Sequence, residues 1–295
     1  MEIIVDDTAT AMAELLTLPL SERPEALTRL LDAFAPTAAM LGMDLVTMHH
    51  QAGGFRVDRE DDRYLPALRL MTDAGLWRRM REALRAAWER QAAAVPGIRH
   101  RDEPVRAVLV LGDPDDEHLM KRIGGYYGMS GGSPVVFVLA WPTPGNLEQI
   151  VYCAVHEMHH YIRHCNVEWN PATVTLGDHV VSEGLAEAFV RELGGPGAVG
   201  AYTRAVTGRA LEDATAKITA ALGVTGMQNF TAYVLGDASA ERMGRPTAGV
   251  PDMAGYAVGL NIVDAHLAAT GLTAAQSTAL PAAEILANAG LAVVD

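Results

Sequence analysis

Residues Asn146–His160 read NLEQIVYCAVHEMHH, and they decide how the rest of the chain is understood. The last five, His156-Glu157-Met158-His159-His160, form an H-E-x-x-H motif with His156 and His160 as the outer pair. Ile150, Val151, Ala154, Val155, Met158, Tyr161 and Ile162 recur as one helical stripe, so the stretch is expected to be an amphipathic helix. Asn146 and Gln149 stand in capping-box spacing at its start. Residues four apart on a helix lie about 40° apart around the axis and one turn along it. Both imidazoles then project from one face and can share one metal ion. Glu157, one position on, reaches a water at that metal without ligating it. This is the donor arrangement of zinc peptidases.

A zinc site of this kind needs a third protein ligand. The metzincin continuation would require Gly at 163 and His at 166, where this chain has Arg163 and Asn166. His164 lies on nearly the same stripe as His160. It is eight residues from His156, about 12 Å along a helix, too far for both to close on one ion. The remaining choice is a glutamate from a second helix. Asp178–Leu193 (DHVVSEGLAEAFVREL) reads as that helix, closed by Gly194-Gly195-Pro196. It offers Glu183, with Glu187 one turn later to accept a hydrogen bond from a ligand imidazole. His179, one turn before Glu183, is a candidate to orient a ligand or touch substrate. Gly184 and Ala186 are expected to let this helix pack closely on the first.

Working outward, Val105–Leu111 (VRAVLVL) and Pro134–Trp141 (PVVFVLAW) read as strands, with a glycine-rich loop Gly124–Gly132 between them. That loop is not a phosphate loop, since no Lys-Ser/Thr pair follows its glycines. Glu2–Val5 reads as a short strand. Ala9–Leu18 and Ser21–Ala35 read as helices, the second capped by Ser21 and stopped or kinked at Pro36. Tyr64–Ala94 reads as one long amphipathic helix, or two broken near Gly75. Beyond Gly145 the chain reads as mostly helical. Pro96-Gly97 is the best boundary candidate, giving a mainly helical region 1–100 before a domain 101–295, though it also suits a loop within one domain.

Composition narrows the function classes. Among 295 residues, Lys plus Arg number 23 and Asp plus Glu 36, a net charge of −13. So acidic a chain is a poor partner for nucleic acid or an anionic membrane. No apolar run is long enough to span a bilayer, and MEIIVDDTATAMAELL has no basic segment of a secretory signal. Two cysteines, Cys153 and Cys165, are too few for a disulfide scaffold, so a cytoplasmic protein is expected.

The order GGYYGMSGG, apolar strand, HEMHH, SEGLAEAFV, Gly255-Tyr256-Ala257-Val258-Gly259 and a closing PAAEIL resembles the YjaZ-like family of predicted zinc-dependent proteases, from about Val105 to Leu291. The resemblance implies an α+β, mostly helical, zincin-like metallopeptidase fold of the gluzincin type with a small sheet. It implies one zinc ion per chain on His156, His160 and Glu183, and Glu157 as the catalytic acid and base. In that setting Tyr256 stands where a phenol donates to an oxyanion, or is a half-buried helix tyrosine. The strand carrying Val136 and Val138 is either the sheet edge that pairs with an extended substrate or an ordinary core strand. The expected activity is hydrolysis of a peptide or small protein. The alternatives are a zinc enzyme for a non-peptide small molecule and a binding or chaperone-like protein with a structural metal. Nothing in the sequence fixes the oligomeric state.

Overall fold

A computed structural model describes residues 1–130 and 133–291. The protein is mostly helical with one four-stranded sheet. Two compact units are present, residues 1–85 with 103–154, and residues 86–102 with 155–295.

The first unit holds the sheet. Its strands are β1 (Ile3–Val5), β2 (Val105–Leu111), β3 (Tyr126–Met129) and β4 (Val135–Ala140), in the order β1-β2-β4-β3. β1 and β4 run parallel to β2, and β3 is antiparallel to β4. Continuous apolar runs such as VRAVLVL and VVFVLA are buried on both faces, which is the pattern of inner strands. Helices α1 (Thr8–Thr17), α2 (Arg23–Leu30), α3 (Ala35–Met40), α4 (Leu45–Gln51) and α5 (Tyr64–Asp73) belong to the same unit. Residues 1–100 are therefore not a region of their own, because β1 adds to the sheet built by residues after 100.

Several local expectations change. β4 is not an edge strand. It is paired on both sides, and Val136 and Val138 are fully buried, so neither meets an extended substrate. The edge on that side of the sheet is β3, which the glycine-rich stretch 124–132 conceals; Gly131 and Gly132 lie outside the described residues. A four-residue YYGM strand with Met129 exposed suits an edge, and its aromatic pair was the signal for it. Ser21 does not cap α2, which begins at Arg23 with Pro24 in its first turn. Pro36 opens α3 instead of stopping a helix, since a first-turn proline gives up no intrahelical bond. Gly75, at φ +65°, separates α5 from α6 (Leu76–Ala94).

The second unit is helical. α7 (Leu147–Asn166), whose residues from Val155 on belong to this unit, carries the H-E-x-x-H motif, and α8 (Leu176–Gly194) carries Glu183. Asn146 does not form the expected capping box. Its side chain accepts from Thr143 N and donates to the carbonyls of Gly124 and Trp141, so it ties down the preceding loop. α8 does have a capping box, between Thr175 and Asp178. Then follow α9 (Gly208–Ala220), the short α10 (Gln228–Phe230) and α11 (Asp237–Arg242), α12 (Ala254–Thr270), α13 (Ala274–Ser277) and α14 (Ala282–Asn288). Gly184 packs on α12 and not on α7: a Cβ there would stand 2.1 Å from Gly259 O. Among the described residues no helix is long and apolar enough to cross a membrane.

Candidate metal centre

The helical repeat of α7 brings the two outer histidines of the motif together, with their Nε2 atoms 2.9 Å apart. Glu183, from α8, places Oε2 3.0 Å from His156 Nε2 and 3.3 Å from His160 Nε2. All three side chains are buried. Three donors held by zinc at 2.0–2.1 Å in a tetrahedron stand about 3.3 Å apart. The observed triangle of two nitrogens and one oxygen is close to that spacing, and the donor types are those zinc takes. The residues present therefore fit a zinc ion. Glu157 is also buried, and His156, Glu157 and His160 offer ligand atoms that all lie within 4.8 Å of one another.

The far side of each imidazole is held as well. His160 Nδ1 lies 3.0 Å from Ser182 Oγ. His156 Nδ1 lies 2.8 Å from Glu187 Oε1, within ion-pair reach but out of line for a straight hydrogen bond. Glu187 is fixed in turn: its Oε2 accepts from Gly200 N at 2.9 Å, and its Oε1 accepts from the Tyr202 hydroxyl at 2.8 Å. Contacts of this kind fix the tautomer and orientation of a ligand imidazole. The Tyr202 ring packs edge-on against Tyr256, 4.7 Å between centroids, and Tyr256 lies 6.2 Å from the His156 ring.

The electrostatics follow from burial and these pairs. Burial opposes charge on His156, but Glu183 and Glu187 outweigh it and raise the pKa well above the ordinary histidine value. Burial likewise opposes charge on Glu183, yet His160 and His156 hold its carboxyl well below the usual range. His164 is different. Burial, reinforced by His160 and Arg163, pushes it down to about 3, and both its ring nitrogens are buried without a partner.

The structure thus brings together His156, Glu157, His160, Glu183, Glu187 and Tyr256. It leaves Val136 and Val138 in the sheet of the other unit. Among the described residues His179 makes no hydrogen bond to His156, His160 or Glu183; it packs between Trp169 and Phe230 with Nε2 buried and unpartnered. Sequence reasoning missed Ser182, Gly200 and Tyr202. Ser182 had a signal in its place next to Glu183. Tyr202 had none, because only the turn at Gly200 swings it back onto Glu187.

The model of the family described as "Predicted Zn-dependent protease (DUF2268)" matches residues 76–287. This chain belongs to that family. It is the YjaZ-like family that the motifs resemble, and the match contains every residue of the centre described above. The chain is also 31% identical over 196 residues to a Bacillus subtilis (strain 168) protein named "Uncharacterized protein YjfC". That alignment covers 66% of this chain and 64% of the relative, so the chain spans less than two thirds of the relative's length. No solved structure matches.

Proposed function

We propose that this protein is a zinc-dependent metallopeptidase of the zincin-like, gluzincin type, acting on a peptide or small protein in the cytoplasm. The observation that carries the reading is the triangle of His156 Nε2, His160 Nε2 and Glu183 Oε2 with Glu157 beside it. A structural zinc needs four protein ligands and no general base, whereas three donors leave a coordination position open.

His156, His160 and Glu183 would hold one zinc ion, which when bound supplies Lewis acidity and lowers the pKa of water towards neutrality. Glu157 takes the proton of the attacking water and later delivers it to the leaving amine, so one carboxylate serves as base and then acid. The Tyr256 hydroxyl donates to the oxygen that gains charge at the scissile carbonyl. Glu187 and Ser182 keep the two imidazoles turned so that their Nε2 atoms face Glu183. Tyr202 and Gly200 keep Glu187 in place.

Replacing Glu157 by Gln removes the base and keeps the shape of the side chain. The Glu157→Gln chain is expected to bind zinc as the wild type does and to lose cleavage of a mixed peptide library by several orders of magnitude. Near wild-type cleavage by the zinc-loaded variant would overturn the assignment.

A further inference from the structure

A continuous run of rings leads away from the zinc centre. The His164 ring lies parallel to within 23° of His160, 6.3 Å between centroids. Trp169 packs against His164 at 4.2 Å, His179 against Trp169 at 5.2 Å, and Phe230 against His179 at 5.1 Å. This is more than an apolar cluster. His164 Nδ1, His164 Nε2 and His179 Nε2 are all buried without a hydrogen-bond partner, and His179 is only 3% exposed. Buried polar atoms are nearly always paired, because leaving one unpaired forfeits its hydration for nothing. Three such nitrogens within one ring cluster, next to the proposed zinc ligand His160, mark a place whose hydrogen bonds come from outside the chain.

We propose that His164, Trp169, His179 and Phe230 form a substrate subsite for an aromatic side chain with a hydrogen-bonding tip, namely tyrosine, next to the scissile bond. The inference rests on the peptidase reading for its substrate, not for its chemistry. Ring faces and edges offer offset-stacked and edge-on places for a phenyl ring. A phenol adds one neutral group that both donates and accepts, which is what unpartnered imidazole nitrogens require. Trp169 is borne by the loop between α7 and α8, whereas His164 and His179 stand on the helices themselves. Rotation of the indole about its side-chain bonds therefore admits a substrate ring beside two imidazoles that stay in place.

The test measures binding without turnover. N-acetyl-L-tyrosinamide, N-acetyl-L-phenylalaninamide and N-acetyl-L-alaninamide are titrated onto the zinc-loaded full chain and followed by ligand-detected NMR. The tyrosine amide is expected to bind about tenfold more tightly than the phenylalanine amide, and the alanine amide most weakly. Trp169→Ala should weaken tyrosinamide binding about tenfold, the usual effect of removing one stacked ring and its contacts. His179→Phe keeps a ring but removes one of the three unpartnered nitrogens, so it should narrow the gap between the tyrosine and phenylalanine amides. Zinc content and melting temperature serve as checks of folding, and if His179→Phe fails them, Trp169→Ala and the ranking of the amides decide. Equal binding of the three amides, or tyrosinamide binding unchanged by Trp169→Ala, overturns the subsite. A chain that cuts no peptide but ranks the amides as expected refutes the peptidase reading alone. A chain that cuts peptides and ranks no amide refutes the subsite alone.

Discussion

His156 is gripped from two sides, by Glu183 at Nε2 and by Glu187 at Nδ1. The two carboxylates come from successive turns of α8, so one helix supplies both Glu183, a proposed ligand, and the carboxylate on the far side of His156. His164, by contrast, has both nitrogens buried without hydrogen-bond partners among the described residues, and its ring packs against those of His160 and Trp169. Glu183 and His164 are the two possible third ligands, and their variants separate them. Glu183→Ala is expected to lose most of its zinc on dialysis against a mild chelator, while His164→Ala retains about one zinc per chain. Metal analysis of the two variants checks this, and the reverse pattern would overturn the ligand set. His164 was excluded on helix rise alone, and Glu183 followed from its place in a second helix. Ser182 and Tyr202 escaped notice because a hydroxyl or phenol that supports a ligand carries no spacing of its own.

At the scale of elements, the centre depends on how closely α8 approaches α12, since the first carries Glu183 and the second Tyr256. Gly184 and Gly259 face each other there. A Cβ on Gly184 would stand 2.1 Å from Gly259 O, and one on Gly259 would stand 2.3 Å from Val180 O. Both neighbours are backbone, so neither contact can be relieved by a side-chain rotation. Gly184→Ala is expected to force the helices apart and to destabilise the protein by at least ~1–3 kcal/mol, the usual cost of overpacking. Zinc retention should fall with it, because Glu183 moves with the helix. Gly197→Ala, in a loop with nothing within 4 Å of the new Cβ, is the matched control and should stay within ~0.5 kcal/mol of the parent. Urea unfolding of the two variants measures the difference. The partner of this glycine was misread at the sequence level. A small residue announces a close approach, but which helix approaches is decided by packing.

Over the whole molecule, a net charge of −13 coexists with histidines that are buried and uncharged. His49 shows what that does to stability. It is 2% exposed, its Nε2 lies 3.1 Å from Phe55 O, and burial, with help from His50, pushes its pKa down to about 3. The unfolded chain takes up a proton at this position near pH 6.5, and the folded chain does so only near 3. Between those values the unfolded state binds more protons, so stability rises with pH across the window and is lost as pH falls below ~6.5. The slope approaches ~1.4 kcal/mol per pH unit for this one group. His49→Gln keeps a donor for the Phe55 carbonyl and removes the titration. Urea unfolding of the full chain at pH 7, 6 and 5 should therefore show a shallower loss of stability, by ~0.7 kcal/mol between pH 7 and 6 and ~1.2 kcal/mol between pH 6 and 5. A slope equal to the parent's would mean that His49 is protonated in the folded protein.

The sequence by itself determined what depends on neighbours along the chain. The H-E-x-x-H motif lies on an amphipathic helix, and helix geometry alone sets residues four apart on one face, so His156 and His160 were bound to converge. The two short, largely apolar runs, VRAVLVL and VVFVLA, read as buried strands because they are rich in β-branched residues and bounded by turn residues. Tertiary structure alone decided the rest. Whether β4 is inside the sheet or at its edge depends on whether β3 pairs with it, and the aromatic pair of YYGM signals a strand without showing which neighbour it pairs with. Which helix receives Gly184, and which phenol turns back onto Glu187, depend on contacts between residues far apart in the chain. Such contacts are selected by the packing of whole faces, and no short stretch of sequence encodes a face that is completed by another element.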